Sequence, residues 1–410
     1  MSSLRTLLGL NQMLRKALTD SDIRRRNEIF SILDEIGKDL DITETQFERA
    51  RQSYGAVGDW LSGSTDPLLV NVLVYLQGST ALGTALKPIG NREFDVDLIC
   101  FCAGITSGIS PADLKAAVGN RLKEHATYGR IIEEKKRCWR LNYQGDFHLD
   151  LSPTISNFFC ANKGELVPDR TLKQWHPTNP RAYKALFDQR ALLRPTFVRT
   201  QIAMQQRDEA HVEPFPIRET VKGILRRIVQ LLKRHRDIFY KNNTEDVAPI
   251  SVIITTLAMR AYEYCVQRHV FADEMDVLVE VIRMMPHFIE RPILNGRQGY
   301  AVLNETTHGE NFADNWNKDP RRAPAFYTWH AQALLDFEAI RDAVGQDRLS
   351  LNMERSFGSG VTGRVLGNRV GAVSNGRKAG LLSVAPLVGL TTSKAAASTA
   401  VPANTFFGDQ

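Results

Sequence analysis

Residues 74–101, "VYLQGSTALGTALKPIGNREFDVDLICF", decide how the rest of the chain is read. The stretch opens as an apolar strand, breaks at Gly78-Ser79 and passes through a short helical segment. It then returns as an apolar strand whose first half carries Asp95 and Asp97. Side chains alternate faces along a strand, so the two aspartates share one face while Val96 and Leu98 point into the core. Two carboxylates about 7 Å apart on one strand face repel each other unless a cation lies between them. The strand "FHLDL" at 147–151 repeats the pattern, with Asp150 leaving the face held by Leu149 and Leu151. Three carboxylates on adjacent strands are all oxygen donors, which suits Mg²⁺ rather than zinc. The Gly-Ser turn at a strand end lets backbone N–H groups and a hydroxyl approach phosphate oxygens. Alone, an Asp-x-Asp pair is an ordinary solvated edge and Gly-Ser an ordinary turn. The order strand, Gly-Ser, short helix, Asp-x-Asp strand, hairpin and third Asp makes them parts of one site.

The surroundings of this stretch alternate between two kinds of periodicity, which gives an α+β fold class. Residues 1–66 read as helices: Thr43-x-x-Gln46 forms a capping box, with Ile42 and Phe47 placed as its hydrophobic staple. Phe47, Ala50, Tyr54, Val57 and Leu61 follow at helical spacing. Residues 67–155 change to strands: "LLVNVLVYLQ", "FDVDLICFC", "GRIIEEKKR", "CWRLNYQ" and "DFHLDLS". From 217 the chain is helical again. In "TVKGILRRIVQLLKRHRDIF", Val221, Ile224, Leu225, Ile228 and Leu232 form one apolar stripe, with the basic residues elsewhere. The expected units are therefore N-terminal helices (1–66), a core (67–216), a helical lobe (217–357) and a flexible Gly/Ala/Ser/Thr-rich tail (358–410).

Composition excludes several classes. A chain of 410 residues with 43% apolar and 24% charged residues is that of an ordinary soluble protein of about two domains. No apolar run reaches the ~18 residues of a membrane helix, and the start has no signal-peptide pattern. Five cysteines without CxxC or zinc-ligand spacing predict a reducing cytoplasm, with Cys100 and Cys102 as core thiols. Most of the +6 net charge falls on residues 355–410, with six basic residues and one acidic. The body is nearly neutral, which argues against non-specific polyanion binding.

The strings "LQGSTALGTALKP", "EFDVDLICF", "FHLDLSPTI", "WHPTNPRAY", "LLKRHRD", "APISVIITTLA" and "ENFADNW" run in order from about residue 70 to 346. Through them the chain resembles the polymerase-beta-type nucleotidyltransferase superfamily. More closely, it resembles the bacterial cyclic-GMP-AMP-synthase-like enzymes, the CD-NTases of anti-phage CBASS signalling. The resemblance implies a polymerase-beta-like core, a helical second lobe and an active site in the cleft between them. It implies ATP or GTP as substrates, two Mg²⁺ ions (Mn²⁺ as a substitute), and a cyclic di- or trinucleotide second messenger with release of pyrophosphate. Residue by residue, Gly78 and Ser79 match the triphosphate-binding turn, and Asp95, Asp97 and Asp150 match the catalytic metal-binding triad. Lys233 and Ser251 match the lysine and serine that hold nucleotide phosphates from the helical lobe. On its residues alone, Lys233 has a rival reading as a solvated lysine on a basic helix flank. Trp175 and Trp316 read as packing anchors, and His148 as a neighbour of the triad rather than a ligand.

Animal relatives sense duplex nucleic acid through a zinc-ribbon insertion or a basic surface. This chain shows neither, which argues against activation by duplex. A companion regulatory protein from a defence operon is the expected partner. The alternatives are nucleotidyl transfer to an RNA end or a protein acceptor, and a non-catalytic nucleotide-sensing adaptor.

Overall fold

The computed structural model describes residues 18–90, 93–169, 171, 173–198, 222–243, 245–294, 296–381, 383–385, 389–391 and 399–401. Residues 1–17 of the expected N-terminal helices, Val221 of the expected stripe and the tail end at 402–410 lie outside these. Two helices open the chain, α1 (Asp20–Asp39) and α2 (Glu44–Ser62). The predicted capping box forms: the Thr43 hydroxyl accepts from the Gln46 amide, and the Gln46 side chain accepts from the Thr43 amide. Of the residues expected at helical spacing, Phe47 is exposed while Ala50, Val57 and Leu61 are buried.

A mixed sheet follows, from β1 (Val72–Leu76), β2 (Phe94–Cys102), β3 (Ile132–Glu134), β4 (Trp139–Tyr143), β5 (Phe147–Ser156), β6 (Glu165–Pro168) and β7 (Trp175–Thr178). The spatial order is β1-β2-β5-β4-β3, with β6 pairing β5 and β7 pairing β6. Only β2 and β5 run parallel; the other pairs of this sheet are antiparallel. A single turn of helix, α3 (Gly78–Ala81), leaves β1, and α4 (Pro111–Glu124) packs behind the sheet. Val96, Leu98, Leu149, Leu151, Val57 and Leu61 share its core.

The second core is helical, from α5 (Pro180–Ala191), α6 (Ile224–Phe239), α7 (Ser251–Arg268), α8 (Glu274–Met284), α9 (Arg322–Arg341), α10 (Gln346–Phe357) and α11 (Ser359–Lys378). Helix α1 belongs to this core and α2 to that of the sheet, so the first segment spans both. Helix α5 also packs here, through the buried Phe187 and a 2.8 Å bond between the Tyr183 and Thr256 hydroxyls. The sequence placed residues 180–191 in the 67–216 unit; their apolar face is instead completed by α6 and α7. Trp316 is buried as an anchor, its ring 5.2 Å from that of Phe326. Trp175 donates its indole N–H to the Ile109 carbonyl at 3.1 Å.

Helix α6 departs from its expected amphipathic form. Leu225, Ile228 and Leu232 are buried as the stripe requires, but so are Arg227, Lys233 and Arg234. Burying such charges is costly unless they are paired. Arg227 meets that condition, donating Nε to Asp34 on α1 at 2.9 Å. Lys233 and Arg234 donate instead to backbone carbonyls, of Thr84 and Phe357, so the basic flank faces protein.

The tail differs most. Where the sequence predicts a flexible segment from residue 358, residues 359–378 form α11, with Val361 and Val365 buried in the helical core. Arg364 pairs with Asp39 at 2.6 Å and Arg369 with Glu35 at 3.0 Å, both on α1. Two of the tail's basic residues are therefore matched by the acidic face of α1. From the sequence alone, deleting 358–410 leaves folding unchanged. The structure predicts the reverse: ending the chain at Gly358 removes two buried valines, worth at most about 1.5–3 kcal/mol each. The expected result is a lower Tm by calorimetry, and an unchanged Tm would contradict this packing.

Candidate active site

The β2–β5 pairing builds the site. In this parallel register Asp95 lies opposite His148, and Asp97 opposite Asp150. Alternation sends Val96, Leu98, Leu149 and Leu151 into the core and leaves the three carboxylates on the other face. Asp95 is the open member, its side chain 54% exposed, against 16% for Asp150. Burial, then the charges of Asp150 and Asp95, push the Asp97 carboxyl up to about 7; Lys233 and Arg140 act in the opposite direction. Asp95 is raised too, first by burial, against the pull of Arg140.

The Gly78 turn sits directly on this face. The Gln77 amide donates to the Asp97 carbonyl at 2.9 Å, tying the end of β1 to β2. Gly78 has φ +64°, a left-handed conformation that glycine adopts without steric cost. A Cβ there would fall well inside contact distance of Asp97 Oδ2 and 3.2 Å from its Cγ. Only a glycine lets the turn approach the carboxylate this closely.

From the helical lobe, Lys233 reaches the same segment. Its Nζ donates to the Thr84 carbonyl at 2.8 Å, and the residue is only 6% exposed. Burial, then the nearby Arg236, lower its ammonium to about 8, while Asp237 and Asp97 oppose the shift. The solvated reading of Lys233 is thus excluded. Ser251 opens α7, and its hydroxyl accepts from Arg236 Nη1 at 3.1 Å. Arg236 therefore links Ser251 to the lysine one turn away on α6. His148 lies with its Nδ1 3.0 Å from Glu93 Oε2, directed to a neighbouring acid and not to the triad.

Arg140 is the residue the sequence reading missed. It lies opposite Asp150 in the antiparallel β4–β5 register. Its guanidinium donates Nε to Asp150 Oδ1 at 2.6 Å, Nη2 to Asp150 Oδ2 at 2.7 Å, and Nη2 to Asp95 Oδ1 at 3.0 Å. Such a bidentate fork is the strong form of carboxylate pairing. The signal was present: Trp139 and Leu141 point into the core, so Arg140 must face the aspartates. This arginine enters the expected metal centre of Asp95, Asp97 and Asp150. Among the described residues no three Asp, Glu, His or Cys side chains converge to hold a metal ion. The guanidinium spans Asp95 and Asp150 and supplies the positive charge between them. The donor chemistry still fits a divalent cation: the three acids face one arginine, and Asp97 carries the strain of that imbalance. Each Asp150 oxygen accepts one of these bonds and keeps a further lone pair that a cation could use.

Known proteins match the chain over these segments. Residues 28–190 match the family model of the Second Messenger Oligonucleotide or Dinucleotide Synthetase domain (SMODS). The chain is 28% identical over 395 residues to a c-di-GMP synthase of Roseivirga ehrenbergii, covering 94% of this chain and 98% of that protein. It is 25% identical over 334 residues to the cyclic dinucleotide synthase CdnG of Bradyrhizobium diazoefficiens, covering 76% of each. Among solved structures, CdnG of Bradyrhizobium diazoefficiens in complex with GTP superposes with a TM-score of 0.63 at 21% identity, over 83% of this chain and 98% of that one. CdnC of E. coli MS115-1 with ATP gives 0.58 at 12% identity, over 81% and 98%. These structural matches show the shared two-lobe α+β fold. Among the described residues no helix is long and apolar enough to cross a membrane. The SMODS match at 28–190, with relatives aligned over 94% and 76% of the chain, makes it a nucleotidyltransferase similar to the bacterial cyclic-GMP-AMP-synthase-like CD-NTases.

Proposed function

We propose that this protein joins nucleoside triphosphates, GTP first among them, into a cyclic dinucleotide with release of pyrophosphate. Its setting would be the cytoplasm, in anti-phage signalling, with a companion protein as regulator. The observation that carries the reading is the Gly78 turn packed onto Asp97, with Asp150 beside it in register. A phosphate-cradling turn and a carboxylate pair in direct contact are what transfer at a nucleotide phosphorus requires. The two relatives, named as a c-di-GMP synthase and a cyclic dinucleotide synthase, favour a dinucleotide and guanine.

The residues divide the work. The Gly78 turn and the Ser79 hydroxyl bind phosphate oxygens. Asp95, Asp97 and Asp150 would hold Mg²⁺, or Mn²⁺ in its place, which supplies Lewis-acid activation of the attacking ribose hydroxyl and neutralises the leaving pyrophosphate. Lys233 holds the segment after the turn at Thr84 and brings positive charge from the other lobe. Ser251, braced by Arg236, closes the phosphate side from α7. Arg140 offsets part of the acids' charge from β4 and orients Asp150.

Incubation with labelled GTP or ATP and Mg²⁺, followed by phosphatase, tests the reading. A phosphatase-resistant product containing two nucleotides is expected. Linear, phosphatase-sensitive products, or label transferred to an acceptor, would replace this reading with nucleotidyl transfer of another kind. Lys233→Ala should raise the apparent KM for the triphosphate and lower Tm. The lost charge-assisted hydrogen bond is worth about 1.5–3 kcal/mol. Unchanged kinetics and melting would remove Lys233 from the site.

A further inference from the structure

A second cavity of about 500 Å³ lies where α1, the segment after the Gly78 turn, α6 and α11 meet. None of the candidate active-site residues lines it. Its charged walls are Lys87, Arg234 and Arg364 against the single acid Asp39. Two of the cations are partly engaged. Lys87 Nζ donates to the Asp39 carbonyl at 2.9 Å, and Arg364 pairs with the Asp39 carboxylate at 2.6 Å.

Arg234 is different. It is only 7% exposed, its Nε donates to the Phe357 carbonyl at 3.0 Å, and among the described residues nothing accepts from its two Nη amines. A guanidinium has five N–H donors, and the Arg234 Nη amines are not among the enclosed atoms that lack a partner, so they keep access to the open space of the cavity. Burial, with Arg364 nearby, holds its pKa below that of a free guanidinium. The first turn of α11 borders the same space through Gly360 and Val361, and no side chain caps it. The uncapped amides of a 20-residue helix add partial positive charge at that end. A buried, under-used arginine and an uncapped helix start thus face one cavity whose cations outnumber its acid.

We propose that this cavity is a second ligand site, which binds a phosphorylated small molecule of about mononucleotide size without divalent metal. A phosphate offers enough acceptor oxygens to meet the Arg234 amines and the α11 amides together, which a carboxylate does not. Leu40, Pro88, Ile89 and Val361 line the remainder with apolar surface, suited to an organic body. The volume lies within the range of small-molecule sites, about 300–1,000 Å³. The site also has a bearing on the cleft. Lys87 to Gly90 follow the Gly78 turn, and Arg234 follows Lys233, so an occupant would brace both walls of the catalytic cleft from behind.

The test is calorimetric titration of the full chain in EDTA with GMP and, separately, with inorganic phosphate. The expected result is saturable binding of GMP at least about tenfold tighter than phosphate. Binding should fall at least about tenfold in Arg234→Gln, the scale of one charge-assisted contact. It should also weaken in Arg364→Gln, an exposed position outside the apolar core, with Tm reporting that α11 stays packed, and persist in Ser79→Ala, which removes a phosphate contact of the cleft. Persistence in Ser79→Ala separates this site from the cleft, so the proposed catalytic reading can fail without it. Absence of EDTA-resistant binding in the parent overturns the proposal. So does binding retained in both arginine variants. Equal affinity for GMP and phosphate overturns the assignment of an organic ligand.

Discussion

Asp97→Asn is expected to abolish product formation while leaving the metal-free protein at least as stable as the parent at pH 8. The two halves have one cause. Asp97 is buried beside Asp150 and Asp95, which pushes its carboxyl up to about 7. A carboxylate raised above its unfolded value, near 4, keeps its proton in the fold at pH values where the unfolded chain has lost it. The linkage sign follows: this group's contribution falls as pH rises from about 4 through about 7, and above that the fold carries an unfavourable charge. Asparagine keeps the shape and removes the charge, so the Tm difference in EDTA should favour Asp97→Asn at pH 8 and shrink at pH 5.5. Activity moves the other way, because the charge that burdens the empty fold is what a divalent cation binds. The loss should be at least about a hundredfold, the scale seen when one preorganised charge-stabilising group is removed. Asp150→Asn should also abolish synthesis but keep much of the Mg²⁺-dependent triphosphate binding, since Asp95 and Asp97 remain on β2. Near-parental synthesis by either variant would show that the active site lies elsewhere.

The legible part of the molecule was that fixed by local periodicity. Strand alternation alone places Asp95, Asp97 and Asp150 on one face, and the register of β2 with β5 agrees. The same alternation puts Arg140 there, between Trp139 and Leu141, so a guanidinium as well as a metal ion can supply charge to the gap. Lys233 shows the other limit. Whether the basic flank of α6 faces water depends on Asp34 of α1 and on the Thr84 carbonyl, both far away in sequence. Helix α11 is the plainest case. Gly360, Gly363, Gly367, Gly371 and Gly376 lower its intrinsic helix propensity and leave no apolar stripe. It is helical because Arg364 and Arg369 find Asp39 and Glu35 across the first helix, and because two valines complete a core. Strands β6 and β7 were missed because each is four residues long and contains proline.

Gly78→Ala should cost most of the activity for a modest loss of stability, and a second glycine separates the two effects. Gly78 and Gly104 both have positive φ, +64° and +83°. An alanine at either pays the same kind of backbone strain, about 1–2 kcal/mol. Around Gly104 a Cβ would meet nothing within 4 Å, so that variant isolates the strain. At Gly78 the methyl group would occupy the space of Asp97 Oδ2. Asp97 must then turn or β2 must shift, and neither is free. The Gln77 amide bonds the Asp97 carbonyl at 2.9 Å, and Val96 and Leu98 on either side are fixed in the core. The carboxylate is therefore displaced from its place opposite Asp150, and misplacement by about 1 Å at a reacting centre costs on the order of a hundredfold. The measurements are Tm and initial rates with GTP for both variants. Comparable falls in Tm are expected, with synthesis near the parental rate in Gly104→Ala and lost in Gly78→Ala. Equal rates in the two would mean that contact between the turn and Asp97 has no part in the chemistry.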